Sequence, residues 1–331
     1  MPFYRCKKGM ILDYWSIKLN TLPYSDPFEK ASAYTTSVFC NTRILDMNIL
    51  SIQSYVSRGH VGNSTAVFCF QLFGFDVWPI PTTLLSNHPG HPSFRGEHLS
   101  TKSVQELLHG LAELDTFKQC DAVISGYFAN PDIAPLISDV VHQVKSNNPA
   151  AIYLCDPVMG NHEKGLYVPT DVPKAISTHL LPIADILTPN HFELELLCGE
   201  PLGTKESSIS ALREITLKRR TVALCSSSPG SSTKTIGTFC HYIENTWEIE
   251  TPKLATLVNG RGDCLSAVFL ANYLSGKNCA DSLSSCVSTV YSLLKLAEED
   301  ARDLPLVAGQ HLILRPTTVF TAELLDANDY K

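Results

Sequence analysis

The chain has 331 residues, a net charge of −7 and 44% hydrophobic residues, a composition typical of one large globular domain or two smaller ones. The acidic balance argues against nucleic acid as a partner, because binding phosphate backbones requires a stripe of lysine and arginine. No apolar run reaches the roughly 20 residues that a membrane span needs, so no membrane association is expected. The 11 cysteines are scattered without metal-ligand spacing, and we interpret them as reduced thiols of a cytoplasmic protein.

The first 46 residues differ from the rest of the chain. They lack the apolar run and small-residue cleavage site of a secretory signal, and Asp13, Asp26 and Glu29 disfavour an organelle transit peptide. A buried-strand pattern then begins at Met47. We therefore expect residues 1–46 to be an N-terminal extension that is disordered or precedes the true start, and residues 47–331 to form the folded domain.

From Met47 onward, strand patterns alternate with helix patterns. The first predicted helix follows Asn63 or Ser64 as its N-cap. In chain order the pattern predicts a strand at 48–54, a helix at 63–75, a strand at 76–83, a helix at 100–114, a strand at 121–127, a helix at 133–147, strands at 151–160 and 184–190, helices at 191–199 and 206–218, a strand at 221–227, a hairpin at 234–243 and 246–252, and helices from about 264 and 281. This alternation, with nearly continuous apolar strands, predicts a parallel sheet covered on both faces by helices.

Polar and glycine residues follow six of the predicted strands. Because the carboxyl ends of parallel strands meet at one edge of a sheet, this edge is where a ligand site is expected. The stretch Asn259–Leu274 adds a glycine-rich turn that leads into an apolar helix. Gly260 and Gly262 would let backbone N–H groups converge on an anion at the helix start, with Asp263 placed as a base for a small-molecule kinase.

Two other interpretations of this stretch were considered. A capped helix with an aspartate near its start is common and needs no ligand. The Arg-Gly-Asp tripeptide, Arg261–Asp263, is also known as an adhesion signal. The following residues are apolar on most faces, which predicts a buried helix and disfavours a displayed loop.

Seven motifs occur in the order and spacing of a known family. They are SIQSYVSRGHVGNSTAVF, LSNHPG, SGY, CDPVMG, LYVP, TPNHFELELL and GRGD, and they cover the chain from about Met47 to its C-terminus. In these motifs the chain resembles the pyridoxal kinase family of the ribokinase-like superfamily. The resemblance implies an α/β fold, a three-layer α/β/α sandwich with a mostly parallel central sheet, usually assembled as a homodimer.

The resemblance also implies an activity. Members transfer the γ-phosphate of ATP to the 5′-hydroxyl of pyridoxal, pyridoxine or pyridoxamine, a salvage reaction of vitamin B6 that yields pyridoxal 5′-phosphate from pyridoxal. They need Mg²⁺ and are helped by a monovalent cation such as K⁺. B6 vitamers and ATP are therefore the expected small-molecule partners.

Carried over residue by residue, the resemblance assigns Asp263 as the base within a catalytic group formed with Gly260, Arg261 and Gly262. The vitamer would be bound by Ser54, His88, Pro89, Tyr127 and Asp263. The nucleotide would be bound by Asp156, Tyr167 on a lid, Thr188 near the monovalent cation, Asn190, Glu193, Cys225, Ser226 and Gly262, with 227–232 and 251–254 bordering the adenine. Asp156 and Glu193 are also the expected metal ligands, since Mg²⁺ prefers hard oxygen atoms.

These residues also have ordinary structural explanations. Ser54 can bond its own backbone at a strand end, Tyr127 can belong to the core, Asp156 can form a turn, and Glu193 can lie on a solvated first helical turn. The chain also departs from the family pattern at Pro89, where a hydroxyl is usual, and at Asn161, Cys225 and Arg261. Because the backbone amides of the anion hole are retained, we expect catalysis to survive these departures. Substrate preference and affinity are the properties that they would affect.

Two alternative functions stay open from the sequence alone. One is another kinase of the same superfamily, for hydroxymethylpyrimidine or a sugar. The stretch IQSYVSRGHVGN disfavours a sugar kinase, which would usually carry a Gly-Gly hinge and a sugar-binding acid near its start. A non-catalytic vitamer-binding protein is consistent with Pro89 and Arg261. The retained carboxylates Asp263, Asp156 and Glu193 favour an enzyme.

The proposed boundary at Met47 is testable by truncation. Deleting residues 1–46 should leave the melting temperature and kinase turnover unchanged, because the first predicted strand stays complete. Differential scanning calorimetry and a coupled kinase assay would check this. Loss of folding or of dimerisation would show that the extension packs on the domain.

Overall fold

The computed structural model describes residues 47–217, 220–255, 258–298 and 300–325. The predictions for residues 1–46 lie outside the described residues. The strands are β1 Asn48–Arg58, β2 Asp76–Asn87, β3 Gly96–His98, β4 Cys120–Ser125, β5 Ile152–Cys155, β6 Gly160–Asn161, β7 Gly165–Leu166, β8 Ile186–Leu187, β9 Val222–Pro229, β10 Thr235–Tyr242, β11 Asn245–Pro252 and β12 Glu323–Leu324.

Ten strands form one sheet in the order β12-β11-β10-β9-β8-β5-β4-β1-β2-β3. The central strands from β9 to β2 pair in parallel, and the strands at both edges pair antiparallel. The remaining strands, β6 and β7, form a separate two-stranded flap. The predicted mostly parallel sheet is therefore confirmed.

Helices cover both faces of the sheet. They are α1 Asn63–Leu72, α2 Thr101–Glu113, α3 Ile133–Asn147, α4 Val172–Ala175, α5 His191–Cys198, α6 Lys205–Thr216, α7 Arg261–Leu274, α8 Cys279–Leu296 and α9 Gln310–Leu314. Successive residues of a strand face opposite sides of a sheet, and β1 shows this clearly. Leu50 and Ile52 pack in the core shared with α2, α3, α5 and α6, whereas Ile49 packs in the core shared with α1, α7, α8 and α9. The predicted three-layer α/β/α sandwich is confirmed.

Among the described residues, no helix combines the length and the apolar character required to cross a membrane.

The predicted N-cap of α1 was wrong. The cap position is Gly62, and Asn63 is already helical. The Asn63 amide instead donates to the backbone carbonyls of Gln53 and Ile80, at 3.0 and 3.1 Å. Ser64 likewise donates to the Val56 carbonyl, at 2.7 Å. Both side chains satisfy strand carbonyls near the register shift in β1, so neither is available to cap the helix.

Helix α7 begins at Arg261, three residues earlier than the predicted start at Cys264. Gly260 is its N-cap and has φ 85°, a left-handed conformation that glycine adopts without strain. A Cβ at Gly260 would overlap the backbone carbonyl oxygen of His60. Only Gly260 of the two glycines has a positive φ, so the expectation that Gly262 also shapes the turn was wrong.

Candidate active site

One cavity of about 1480 Å³ opens at the carboxyl ends of the parallel strands. Pockets that bury one drug-sized ligand have volumes of about 300–1,000 Å³, so this cavity has room for two ligands side by side. The predicted site residues that line it are Ser54, His88, Pro89, Tyr127, Asp156, Tyr167, Thr188, Asn190, Glu193, Ser226, Gly260, Arg261, Gly262 and Asp263, together with 227–232 and 251–254. The structure thus brings together residues that are more than 200 positions apart in sequence.

The first turn of α7 forms the middle of this cavity. Asp263 lies in that turn, and burial raises its pKa to about 6, although backbone N–H groups of Gly62 and of Asp263 itself lower it. The rest of the helix, from Cys264 to Asn272, is buried. The Arg-Gly-Asp tripeptide therefore faces the cavity and is not a displayed loop.

Asp156 follows β5 and is held in a hydrogen-bonded chain. The Ser266 hydroxyl lies 2.9 Å from Asp156 Oδ2 and 2.8 Å from Thr188 Oγ1. Burial raises the pKa of Asp156 well above its usual range, and the charges of Glu193 and Asp263 raise it further. No sequence pattern indicated Ser266, which follows the recognisable motif by three residues in an apolar helix.

Glu193 connects the start of α5 to the loop after β5. Its carboxylate accepts hydrogen bonds from the backbone N–H groups of Met159 (2.9 Å), Gly160 (3.4 Å) and Asn190 (2.8 Å). The Asn190 side chain completes the capping box by accepting from the Glu193 N–H at 3.1 Å. Burial raises the Glu193 pKa to about 7 even though these N–H groups lower it. The interpretation of Glu193 as a solvated first-turn residue was therefore wrong.

The three carboxylates Asp156, Glu193 and Asp263 have no basic partner. Among the described residues, no ion pair within 4 Å joins any of them to a lysine, arginine or histidine. Asp156 and Glu193 are buried and Asp263 is partly buried, and the charge of Asp263 raises the pKa values of the other two. Such a group of acids provides an environment in which a divalent cation is stabilising. The donor set therefore fits Mg²⁺.

The part of the cavity lined by Ser54 and Tyr127 contains polar residues that the motifs did not indicate. Thr83 Oγ1 lies 3.0 Å from His98 Nδ1, and the His98 ring lies 6.3 Å from that of Tyr127. Thr83 and His98 both line the cavity beside Ser54. Among the described residues, no side-chain hydrogen bond occupies the Ser54 hydroxyl, which leaves it free for a ligand. Alternation along β2 could have indicated Thr83, but nothing in the sequence predicted that His98 pairs with it.

The loop that contains Pro89 is fixed by Asp303. His91 Nε2 lies 2.9 Å from Asp303 Oδ2, and Arg302 donates to the Gly90 carbonyl at 2.8 Å. Asp303 also fills the space where a Cβ at Gly59 would lie. Asp303 therefore joins three loops at the cavity rim, and its DLPLV surroundings carried no motif that could have predicted this.

The cavity wall includes Ser226 but not Cys225, which was also a predicted nucleotide contact. Cys225 is fully buried in the core, and its thiol lies 3.1 Å from Ser228 Oγ. Successive side chains of a strand point to opposite faces of the sheet, so Ser226 faces the cavity and Cys225 does not. Ser227 has φ 61°, unusual for a residue other than glycine, and this turns the strand end along the cavity wall.

The flap of β6 and β7 closes one side of the cavity. Asn161 Oδ1 accepts from the N–H groups of Glu163 and Lys164, at 3.1 and 2.8 Å, and so shapes the flap turn. Burial lowers the pKa of Arg261, and the Glu163 carboxylate in the flap turn partly opposes this shift. Arg261 therefore lies between the flap and the first turn of α7.

Comparison with known proteins identifies relatives of this chain. Residues 99–302 match the family model described as phosphomethylpyrimidine kinase. Pyridoxal kinase PdxY of Corynebacterium diphtheriae is 37% identical over 280 residues, which cover 84% of this chain and 99% of the relative. PdxY of Deinococcus radiodurans is 36% identical over 297 residues, covering 86% and 99%.

Solved structures give the same result. Pyridoxal kinase from Leishmania donovani in complex with ADP and pyridoxamine has a TM-score of 0.80 at 26% identity, covering 85% of this chain and 100% of that one. Pyridoxal kinase from Trypanosoma brucei has a TM-score of 0.77 at 28% identity, covering 85% and 100%. The fold is therefore that of the ribokinase-like small-molecule kinases. The chain belongs to the pyridoxal kinase family, as the seven motifs predicted.

The two glycines at the start of α7 make a matched pair for a stability test. Gly260→Ala should destabilise the protein by about 1–3 kcal/mol, because the new Cβ overlaps the His60 carbonyl and the residue has φ 85°. Gly262→Ala should be neutral or slightly stabilising, because a Cβ there meets open space. Equilibrium urea unfolding measures both, and equal destabilisation by the two variants would contradict this account of the turn.

Proposed function

We propose that this protein catalyses the ATP-dependent phosphorylation of the 5′-hydroxyl of pyridoxal and of the related vitamers pyridoxine and pyridoxamine. The observation that carries the proposal is Asp263, a carboxyl with a pKa of about 6 at the N-terminus of α7, in the middle of a cavity with room for two ligands. The relatives' names and the ADP- and pyridoxamine-bound neighbour support this substrate pair.

The proposed reaction is a direct phosphoryl transfer. The vitamer hydroxyl oxygen attacks the γ-phosphorus of ATP, its proton passes to the Asp263 carboxylate, and the bond from the γ-phosphorus to the ADP oxygen breaks. Backbone N–H groups in the first turn of α7 face the developing negative charge. The helix terminus favours the ionised carboxylate, but burial dominates, and the resulting pKa near neutrality is suited to accepting a proton.

Asp156 is the proposed direct ligand of Mg²⁺, which when bound neutralises charge on the nucleotide phosphates. Its Oδ2 accepts the Ser266 hydroxyl at 2.9 Å, and Thr188 is a further side-chain neighbour, which leaves other oxygen lone pairs available. Glu193 already accepts three backbone N–H groups, so we propose that it acts on the metal through water. Thr188 is the proposed neighbour of a monovalent cation.

The remaining assignments are proposals supported by position in the cavity. Ser54, His88, Pro89 and Tyr127 line the vitamer half. Asn190, Ser226 and the ranges 227–232 and 251–254 line the nucleotide half, and Tyr167 lies on the flap side. The homodimer and the cytoplasmic location stay predictions.

A hydroxymethylpyrimidine kinase is the second candidate, because the matching family model is described as phosphomethylpyrimidine kinase. A coupled ATP-turnover assay with pyridoxal, pyridoxine, pyridoxamine and hydroxymethylpyrimidine separates the two candidates. The proposal expects the highest kcat/KM with one of the three B6 vitamers. A preference for hydroxymethylpyrimidine would favour the second candidate, and no turnover with any of them would favour a non-catalytic binding protein.

Asp263→Asn tests the base. The substitution keeps the side-chain shape and removes the proton acceptor, so kcat should fall by about 10²–10⁴-fold while ATP binding stays nearly intact. In the wild type, kcat/KM for ATP should fall as pH drops below about 6, because the carboxyl is then protonated. Steady-state kinetics across pH measures both. Wild-type turnover in the Asp263→Asn variant would remove Asp263 from the mechanism. A wild-type kcat/KM for ATP that stays constant below about pH 6 would do so as well.

Arg261→Thr tests the arginine between the two glycines. If its guanidinium reaches the nucleotide phosphates, the KM for ATP should rise or kcat should fall about tenfold, which corresponds to roughly 1.4 kcal/mol. The KM for the vitamer should not change. Arg315→Thr, at an exposed position after α9, is the matched control. If the ATP parameters do not change, Arg261 only packs against the flap.

A further inference from the structure

A second group of ionisable side chains lies beside the flap and has no part in the proposed reaction. It consists of His162 in the turn between β6 and β7, and of His191 and Glu195 on α5. Residues four positions apart share one face of a helix, so His191 and Glu195 point the same way. The ligand atoms of all three side chains lie within 4.8 Å of one another.

The distances in this group match a tetrahedral metal site. His162 Nε2 lies 3.0 Å from His191 Nδ1 and 3.3 Å from Glu195 Oε2. Nitrogen and oxygen ligands of tetrahedral zinc lie about 2.0–2.2 Å from the ion, which places neighbouring ligand atoms about 3.3 Å apart. Two of the three distances are therefore close to the spacing that one small ion requires, and the third pair of ligand atoms lies within 4.8 Å.

Hydrogen bonding alone does not satisfy this arrangement. If His162 Nε2 carries a proton, it donates to either His191 Nδ1 or Glu195 Oε2, and the other acceptor is left without a hydrogen bond from it. If His191 Nδ1 carries the proton instead, the lone pair of His162 Nε2 faces the Glu195 carboxylate, and two electron-rich atoms oppose each other. Nε2 of His191 is buried and faces the backbone of Leu202 without a well-formed hydrogen bond. One cation would accept the three converging lone pairs together.

The groups around the three side chains hold them in place. Glu195 Oε1 accepts the Leu202 N–H at 2.8 Å, which leaves Oε2 directed toward the histidines. The Phe192 ring packs edge-on against His162, with 5.4 Å between ring centroids. Such outer contacts orient metal ligands in known sites. The His162 side chain is 53% exposed, so an ion can enter from solvent and a water molecule can complete the tetrahedron.

We propose that His162, His191 and Glu195 bind one divalent transition-metal ion of the zinc class, and that the ion fixes the β6–β7 flap to the start of α5. Imidazole nitrogen selects zinc-class ions over Mg²⁺, whereas the carboxylates Asp156 and Glu193 offer only oxygen. The site is therefore chemically distinct from the proposed magnesium site. Because His162 and His191 both line the cavity, the ion would limit movement of the flap over the nucleotide half.

The experiment is titration of the ligand-free full chain with Zn²⁺ in excess Mg²⁺, followed by isothermal calorimetry. Cobalt(II) substitution is the second readout, because tetrahedral cobalt(II) absorbs visible light. The test variants are His162→Gln, at a half-exposed position that does not disturb the core, and Glu195→Gln, which keeps an acceptor for Leu202. His142→Gln, exposed on α3, is the matched control. Asp156→Asn removes the magnesium ligand and leaves this site intact.

The wild type, His142→Gln and Asp156→Asn should bind one equivalent of Zn²⁺ and show the tetrahedral cobalt spectrum. His162→Gln and Glu195→Gln should bind more than tenfold more weakly and lose the spectrum. Zinc should also slow amide hydrogen exchange at 160–166 in the wild type but not in His162→Gln.

Absence of stoichiometric binding, or equal affinity in His162→Gln, would overturn the proposal. Loss of binding in Asp156→Asn would do so as well, because the ion would then occupy the carboxylates. Since Asp156→Asn removes the magnesium ligand, its outcome also separates this proposal from the proposed kinase activity.

Discussion

Two buried carboxylates, Asp156 and Glu193, and the partly buried Asp263 lie together without a basic partner among the described residues, and this is the constraint on which the site depends. Asp156, Glu193 and Asp263 come from the end of β5, the start of α5 and the start of α7. Each has its pKa raised by burial. The charge of Asp263 raises the pKa of Glu193 further, and the charges of Glu193 and Asp263 raise that of Asp156. Such an arrangement lowers the stability of the ligand-free protein at neutral pH and creates an affinity for cations. We infer that the fold retains the three acids for their function.

The surrounding hydrogen bonds fix the acids at the positions where the nucleotide and the hydroxyl meet in the proposed reaction. Ser266 holds Asp156, and three backbone N–H groups hold Glu193. Gly260 allows α7 to begin at the cavity wall, so that Asp263 lies in its first turn. These contacts come from different layers of the sandwich, and the parallel sheet supplies the common edge at which they converge.

The sequence predicted the architecture well, because strand and helix patterns are strong in a sheet buried on both faces. The strand at Asn48 and the helix at Ile133 illustrate this. The first residues of individual helices were harder to predict, since they depend on tertiary contacts. Asn63 has the residue type of an N-cap, yet two strand carbonyls take its side chain. The start of α7 depends on the His60 carbonyl, 200 residues earlier.

The residues of the site also divide into those that local sequence patterns predict and those that depend on distant contacts. The motifs predicted Asp156 and Asp263, because each lies in a recognisable local pattern. They could not predict Ser266, Asp303 or His98, whose partners are distant in sequence. Cys225 was assigned to the nucleotide from a motif position, but strand alternation places it in the core. Local sequence patterns cannot predict a residue whose role depends on a partner that is distant in sequence.

The most direct test of the central claim is the pH dependence of stability in the ligand-free protein. The free energy of unfolding is measured without divalent cations between about pH 6 and pH 9 for the wild type, Asp156→Asn and the exposed control Asp139→Asn. The raised pKa values mean that the native state holds protons that the unfolded state has already lost, so wild-type stability should fall as pH rises. Asp156→Asn should be more stable than the wild type at the alkaline end and should show a weaker pH dependence, while Asp139→Asn should follow the wild type. An Asp156→Asn variant with unchanged pH dependence, or with lower stability at alkaline pH, would contradict the account.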